Sequence, residues 1–248
     1  MTTANAAERI IVALDVKNKE EGLTLVRTLE SAVLFKVGLQ LYTAEGPALL
    51  KDIRELGKKV FLDLKLHDIP NTVAEAVRSG MRLGAWMMTI HASGGKEMMA
   101  EAAKAAADEA AKSGKPKPLL LGVTVLTSLK DAELQEVGFA GKVLDQVLRL
   151  AGLAKAAGLD GVVCSPQEIE AVHREFGKSL LIVTPGIRPA GADVHDQKRI
   201  MTPAQAVALG ADYLVIGRPI TAAPSPNQAF REIAAEITNP GDRGRSPR

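Results

Sequence analysis

Residues 61–72 read FLDLKLHDIPNT and place Asp63, Lys65 and Asp68 within six positions at the end of an apolar run. A strand end meant only to pack does not collect three charges. Either they belong to a solvated loop, or they are opposed charges held in a pocket to do chemistry. Asp63 and Lys65 lie two apart, so on a strand their side chains leave one face while Leu62, Leu64 and Leu66 leave the other. Lys36 ends a neighbouring apolar run, VLFKVG, and Asp15 ends another, RIIVALDV. With Lys36 able to reach the same mouth and Asp68 just beyond the strand end, Asp63 and Lys65 complete two cations and two anions in a low-dielectric cup, where pKa values shift readily. A self-satisfying ion-pair network is the plainer explanation for Asp63 and Lys65 alone. Asp15 and Lys36 weigh against it, because an interior that only packs uses Val, Ile and Leu.

Positioning these side chains falls to a repeating pattern. Eight apolar, β-branched runs begin near residues 9, 33, 59, 86, 119, 161, 180 and 213. Their near-continuous hydrophobicity marks strands buried on both faces. Amphipathic or Ala-rich segments lie between them, near 19–30, 45–57, 71–84, 95–112, 141–158, 167–177, 203–210 and 226–237, and predict helices. Ser165-Pro166 and Thr202-Pro203 fit an N-cap followed by proline at the first helical position. Eight β-then-α units predict an α/β fold, a single (β/α)8 TIM barrel over residues 1–238. The rival, a doubly wound open sheet, calls for G-x-G-x-x-G after the first strand, where this chain has LDVKNK.

A barrel carries its active site at the C-terminal strand ends. On its other side, TPGIRP (184–189) and VIGRPI (215–220) end strands seven and eight, where barrels often hold phosphate. Gly217 allows close backbone approach and Arg218 offers a forked donor set matched to phosphate oxygens. The polar segment RPAGADVHDQKRIM (188–201) is long for a βα connection and is the expected lid. His67 and His91 stand alone, without the spacing of a metal site. Cys164 reads as a packed strand residue rather than a nucleophile. Gly94-Gly95-Lys96 lacks the rest of a phosphate-loop motif.

Composition narrows the partners. Of 248 residues, 46% are hydrophobic, 24% charged and 3% aromatic, with a formal charge of +2. That balance lacks the basic, aromatic-lined surface that nucleic acid requires. A lone cysteine excludes an internal disulfide, and no apolar stretch approaches the roughly 18 residues of a membrane span. The expectation is a cytoplasmic protein with no membrane or nucleic-acid partner. NPGDRGRSPR (239–248) reads as a disordered tail.

D-x-K-x-x-D followed by I-P-N-T resembles the bacterial-type orotidine 5′-phosphate decarboxylase family. So do LD ending strand one, FKVG on strand two, VTVLTS on strand five, TPGIRP on strand seven and VIGRPI on strand eight. The resemblance spans residues 9 to about 237, with His67 and the Arg-rich tail as departures. It implies conversion of orotidine 5′-monophosphate to UMP and CO2, the last step of de novo pyrimidine synthesis, with no metal or organic cofactor. It implies Lys65 as proton donor to C6, with Asp63, Lys36 and Asp68 completing the charged array. Asp15 and Lys36 would bind ribose hydroxyls, Thr127 and Ser128 the nucleotide and pyrimidine, and Arg188, Gln197, Gly217 and Arg218 the phosphate side, with Pro185 a further substrate contact. In the family, D-I-P-N-T reaches into the partner's site, so Asp68, Ile69 and Thr72 would serve the other subunit of a homodimer. Two readings compete: a Mg2+-dependent sugar-phosphate enzyme of the same barrel suprafamily using D-x-K-x-x-D, and a silent nucleotide-binding barrel.

Overall fold

A computed structural model describes residues 3–189 and 201–238 of the chain. The eight apolar runs become β1 (Ile10–Ala13), β2 (Leu34–Gly38), β3 (Lys59–Leu66), β4 (Met87–His91), β5 (Leu119–Val123), β6 (Gly161–Val163), β7 (Leu181–Thr184) and β8 (Tyr213–Ile216). All pair in parallel with their sequence neighbours, and β8 closes onto β1. The eight-stranded (β/α)8 barrel expected from the pattern is therefore present.

Alternation along each strand divides the apolar residues into two layers. Ile11, Leu34, Phe61, Met87, Leu121, Val183 and Val215 point inward and fill the cylinder. Ile10, Val12, Phe35, Val60, Leu62, Met88, Ile90 and Leu214 point outward, beneath the helices. Each fully buried side chain of this kind contributes about 1.5–3 kcal/mol. The interior therefore has no need of charge for stability, and Lys36 and Asp63 in its upper layer need another explanation.

The helices are α1 (Thr3–Ala7), α2 (Lys19–Thr28), α3 (Leu39–Glu45), α4 (Ala48–Glu55), α5 (Pro70–Arg82) and α6 (Gly95–Ser113). They continue with α7 (Asp131–Glu136), α8 (Val143–Ala156), α9 (Ile169–Phe176), α10 (Pro203–Ala208), α11 (Arg218–Thr221) and α12 (Pro226–Thr238). Two proline-marked starts are as expected: Ser165 and Thr202 are N-caps, and the Thr202 hydroxyl accepts the Gln205 N–H.

Other boundaries differ from the pattern. The helix expected over 45–57 is present as α4, and α3, which was not foreseen, precedes it; Gly46 at φ +68 ends α3 and Pro47 is the N-cap of α4. α7, not foreseen in DAELQE, is fixed by the Glu133 carboxylate accepting the Lys130 N–H at 2.9 Å. Six of the eight strands leave the ladder at least two residues before their apolar runs end, and Asp15, Thr127 and Ser165 stand in the loops beyond. The expected tail, 239–248, lies outside the described residues.

Candidate active site

β3 is irregular at its C-terminal end. Leu62 pairs with Met88 but Leu66 with Ile90, four steps along β3 against two along β4. Lys65 sits in the resulting bulge at φ +51, the one described non-glycine residue with positive φ. That region costs an L-residue about 1–3 kcal/mol and persists only where the surroundings enforce it. The regular pleat expected from the sequence is thus corrected, although the outcome for the side chains is kept. The Lys65 ammonium turns back and donates to both Asp63 oxygens at 2.9 Å.

The charges form a chain across three strand ends. Lys36 Nζ lies 3.0 Å from Asp15 Oδ1 and 3.8 Å from Asp63 Oδ2. The order Asp15–Lys36–Asp63–Lys65 alternates anion and cation. Side-chain exposure is 60% for Asp15 and 30% for Lys65, but 12% for Asp63 and 11% for Lys36. The two inner members therefore depend on their partners, since an unpaired buried charge is strongly destabilising. Gly38 makes the approach of Lys36 possible: a Cβ there would stand 2.8 Å from Lys36 Nζ.

One member of the cluster escaped the sequence reading. Thr89, on β4, is 1% exposed. Its Oγ1 accepts the Lys65 backbone N–H at 2.9 Å and donates to Asp63 Oδ1 at 2.9 Å. A threonine inside an apolar run reads as core, and the available signal was its inward position beside the Asp63 strand.

These side chains line a cavity of about 550 Å³. Asp15, Lys36, Asp63 and Lys65 form its charged side, while Ala13, Phe61, Val163, Val183 and Val215 supply apolar lining. Pro185, Gly186, Arg188, Gly217 and Arg218 come from the ends of β7 and β8, and Thr127 from beyond β5. Arg188 is 6% exposed, so this guanidinium is held within the protein rather than trailing in solvent. A Cβ on Gly217 would meet Ala13 and Asp15 only at 3.5 and 3.7 Å, ordinary contact distances. Gln40, which the sequence reading did not single out, also lines the cavity and donates to the Val16 carbonyl at 3.2 Å.

Four expected site residues stand apart from this cavity within one chain. Asp68 is exposed and accepts the Ile69 N–H at 2.7 Å, at the start of α5. Ile69 is 67% exposed, and Thr72 and Ser128 are exposed as well. The second anion of the chain's own cluster is thus Asp15. Gln197 and most of the expected lid lie outside the described residues, while the segment's ends meet: Ile187 bridges Met201, and the Arg188 N–H donates to the Met201 carbonyl at 3.0 Å.

Burial lowers the His91 pKa below its ordinary 6.5, with His67 and Lys65 pushing the same way and Asp63 opposing them. The His67 and His91 rings are 5.3 Å apart. Cys164 is fully buried; burial and then the Glu168 carboxylate push its thiol far above the ordinary value, as befits a packed residue rather than a nucleophile.

The match to known proteins covers nearly the whole barrel. The family described as Orotidine 5′-phosphate decarboxylase / HUMPS matches residues 8–233. A Moorella thermoacetica protein named orotidine 5′-phosphate decarboxylase is 54% identical over 239 residues, 96% of this chain and 95% of its own. One of the same name from Nitrosococcus oceani is 53% identical over 232 residues, 93% and 98% of the two chains. The crystal structure of orotidine 5′-phosphate decarboxylase from Lactobacillus acidophilus superposes with a TM-score of 0.83 at 38% identity, covering 93% of this chain and 99% of that one. Barrel, alternating charges at its mouth and near-complete coverage lead to one conclusion: this chain belongs to the orotidine 5′-phosphate decarboxylase / HUMPS family of enzymes.

Proposed function

We infer that the protein decarboxylates orotidine 5′-monophosphate to UMP and CO2, the last step of de novo pyrimidine nucleotide synthesis, in the cytoplasm and without a cofactor. The observation that carries this reading is the alternation Asp15–Lys36–Asp63–Lys65 at one side of a cavity whose β7–β8 side brings Arg188 and Arg218. A binder needs no such alternation.

Breaking the bond between C6 and its carboxylate leaves an electron pair localised on a ring carbon with no sink. Such a barrier demands about 20 kcal/mol of transition-state stabilisation. Asp63 repels the substrate carboxylate, a repulsion that fades as CO2 departs. The Lys65 ammonium gains from the charge collecting at C6. It then transfers a proton to that carbon and regains one from solvent. Asp15 and Lys36 hold ribose hydroxyls, Thr127 the base side, and Arg188, Gln197, Gly217 and Arg218 the phosphate, with Pro185 against the substrate. Binding energy from the distant phosphate fixes the geometry at C6, so it acts on turnover as well as affinity.

The functional unit in this reading is a homodimer. Asp68, Ile69 and Thr72 lie exposed and away from their own cavity, as residues serving a partner's site would. Ile69→Glu is expected to yield monomers by sedimentation with loss of activity; a dimer retained at full activity removes Ile69 from the interface.

The deciding experiment adds orotidine 5′-monophosphate to EDTA-treated protein and follows loss of orotate absorbance together with UMP formation. Turnover unaffected by chelation is expected. Turnover only after Mg2+ is restored selects the sugar-phosphate type of chemistry, and no UMP at all selects a binding protein.

A further inference from the structure

We propose that Thr89 is a positioning residue: its hydroxyl, set between the Lys65 amide and the Asp63 carboxylate, fixes the angle at which the Lys65 ammonium meets the reacting carbon. The proposal rests on the decarboxylase reading above and adds a residue to it. The direction of both hydrogen bonds follows from chemistry. A carboxylate accepts and an amide N–H donates, so the Thr89 hydroxyl gives its single proton to Asp63 Oδ1 and takes the Lys65 N–H on a lone pair. One buried side chain thereby ties the backbone of the proton donor to the carboxylate beside it.

The bulge shows why a side chain is needed there. In a regular parallel ladder, amides of one strand bond carbonyls of its neighbour. Between Leu62 and Leu66 that register is interrupted, and the Thr89 hydroxyl accepts the Lys65 amide in place of a carbonyl. Lys65 holds φ +51 with this bond in place. Without the hydroxyl, the amide loses its acceptor and Asp63 Oδ1 loses one of its two 2.9 Å donors. The loop then relaxes toward an ordinary strand, moving the ammonium while leaving it in the cavity. Ribose and phosphate contacts, carried by other strands, stay as they were. The loss therefore falls on turnover, not on binding.

Thr89→Val keeps the branched shape without the hydroxyl, and Thr89→Ser keeps the hydroxyl. With the full chain, kcat and KM for orotidine 5′-monophosphate and the Kd of UMP are measured for both, with melting curves as the folding control. For Thr89→Val, kcat is expected to fall about 100-fold, the scale of a 1 Å misplacement. KM and the UMP Kd stay within about threefold of the parent, since only an interaction realised in the transition state is lost. Thr89→Ser recovers most of kcat. Parental kcat in Thr89→Val, equal impairment of Thr89→Ser, or parallel loss of UMP binding overturns the proposal. If Thr89→Val does not fold, Thr89→Ser is compared with Thr89→Ala: a kcat difference favouring Ser supports the role, and equality refutes it. Failure of the underlying reading shows separately, as wild-type protein that makes no UMP.

Discussion

At the N-terminal rim of the barrel, where the strands begin, charged side chains bond to backbone. Lys58 Nζ donates to the Glu30 and Ala32 carbonyls at 3.1 and 2.6 Å. Asp160 accepts the Leu120 N–H at 2.8 Å and is gripped by Lys117, also at 2.8 Å. Asp212 accepts the Ile182 N–H at 2.8 Å, while Arg9 donates to the Ala211 and Asp212 carbonyls. At the C-terminal rim the charges face one another instead, along Asp15–Lys36–Asp63–Lys65, and the backbone there is bent out of its ladder. Charge that satisfies peptide groups stabilises the barrel, because a buried N–H left unmade costs about 1–3 kcal/mol. A buried network of opposed charges is weak evidence of stability. The lower rim closes the fold; in the proposed function the upper rim holds its charges for a substrate.

Four substitutions or titrations test that division, beginning with the largest effect. Lys65→Ala is expected to cut UMP formation about 10⁴-fold, the upper scale for a general acid, while circular dichroism reports a folded protein. Parental turnover would remove Lys65 from its role. Gly38→Ala drives a Cβ toward Lys36 Nζ and is expected to lower kcat/KM about 10- to 100-fold by displacing that ammonium. An unchanged kcat/KM would mean that Lys36 moves without consequence. At the opposite rim, Asp160→Ala leaves the Leu120 N–H without its acceptor and is expected to lower stability by about 2 kcal/mol, or about 4–8 °C in Tm for a chain of this size. Its kcat should match the parent; a loss there would break the contrast between rims.

The smallest effect concerns His91, whose folded pKa lies below 6.5 because of burial first and His67 and Lys65 next. Above pH 6.5 the imidazole is neutral in both states and the folded form keeps its full contribution. As pH falls below 6.5 the unfolded chain takes up the proton first, so stability declines until the pH is below the folded pKa as well. Melting curves from pH 7.5 downward should show this slope, and His91→Gln should flatten it. An identical slope in the variant would assign the acid sensitivity to other groups.

Much of this was legible in the sequence, for identifiable reasons. Strands buried on both faces advertise themselves as continuous apolar runs, so all eight were readable, whereas their ends were not. Asp15 and Thr127 continue apolar runs in sequence but leave the ladder in space. Asp15, Lys36, Asp63 and Lys65 were legible because a charge at a buried strand end conflicts with packing. Thr89 was not, since its partners lie 24 and 26 residues away and threonine sits comfortably in any strand. The bulge at Lys65 also left no mark, because KVFLDLKL alternates as a regular strand would. Asp68, by contrast, was visible as a charge, and its place outside the chain's own cavity emerged only from the turn into α5.

The left-handed turn at Lys65 bears on anyone who would transplant this pair into another scaffold. On an ordinary pleated strand, residues two apart project in parallel, about 6.6 Å from one another at a rise of about 3.3 Å each. Copying Asp and Lys at that spacing reproduces the letters and omits the convergence. The portable unit is a kinked strand together with a hydroxyl-bearing neighbour, and a graft lacking either would carry the right residues aimed past one another.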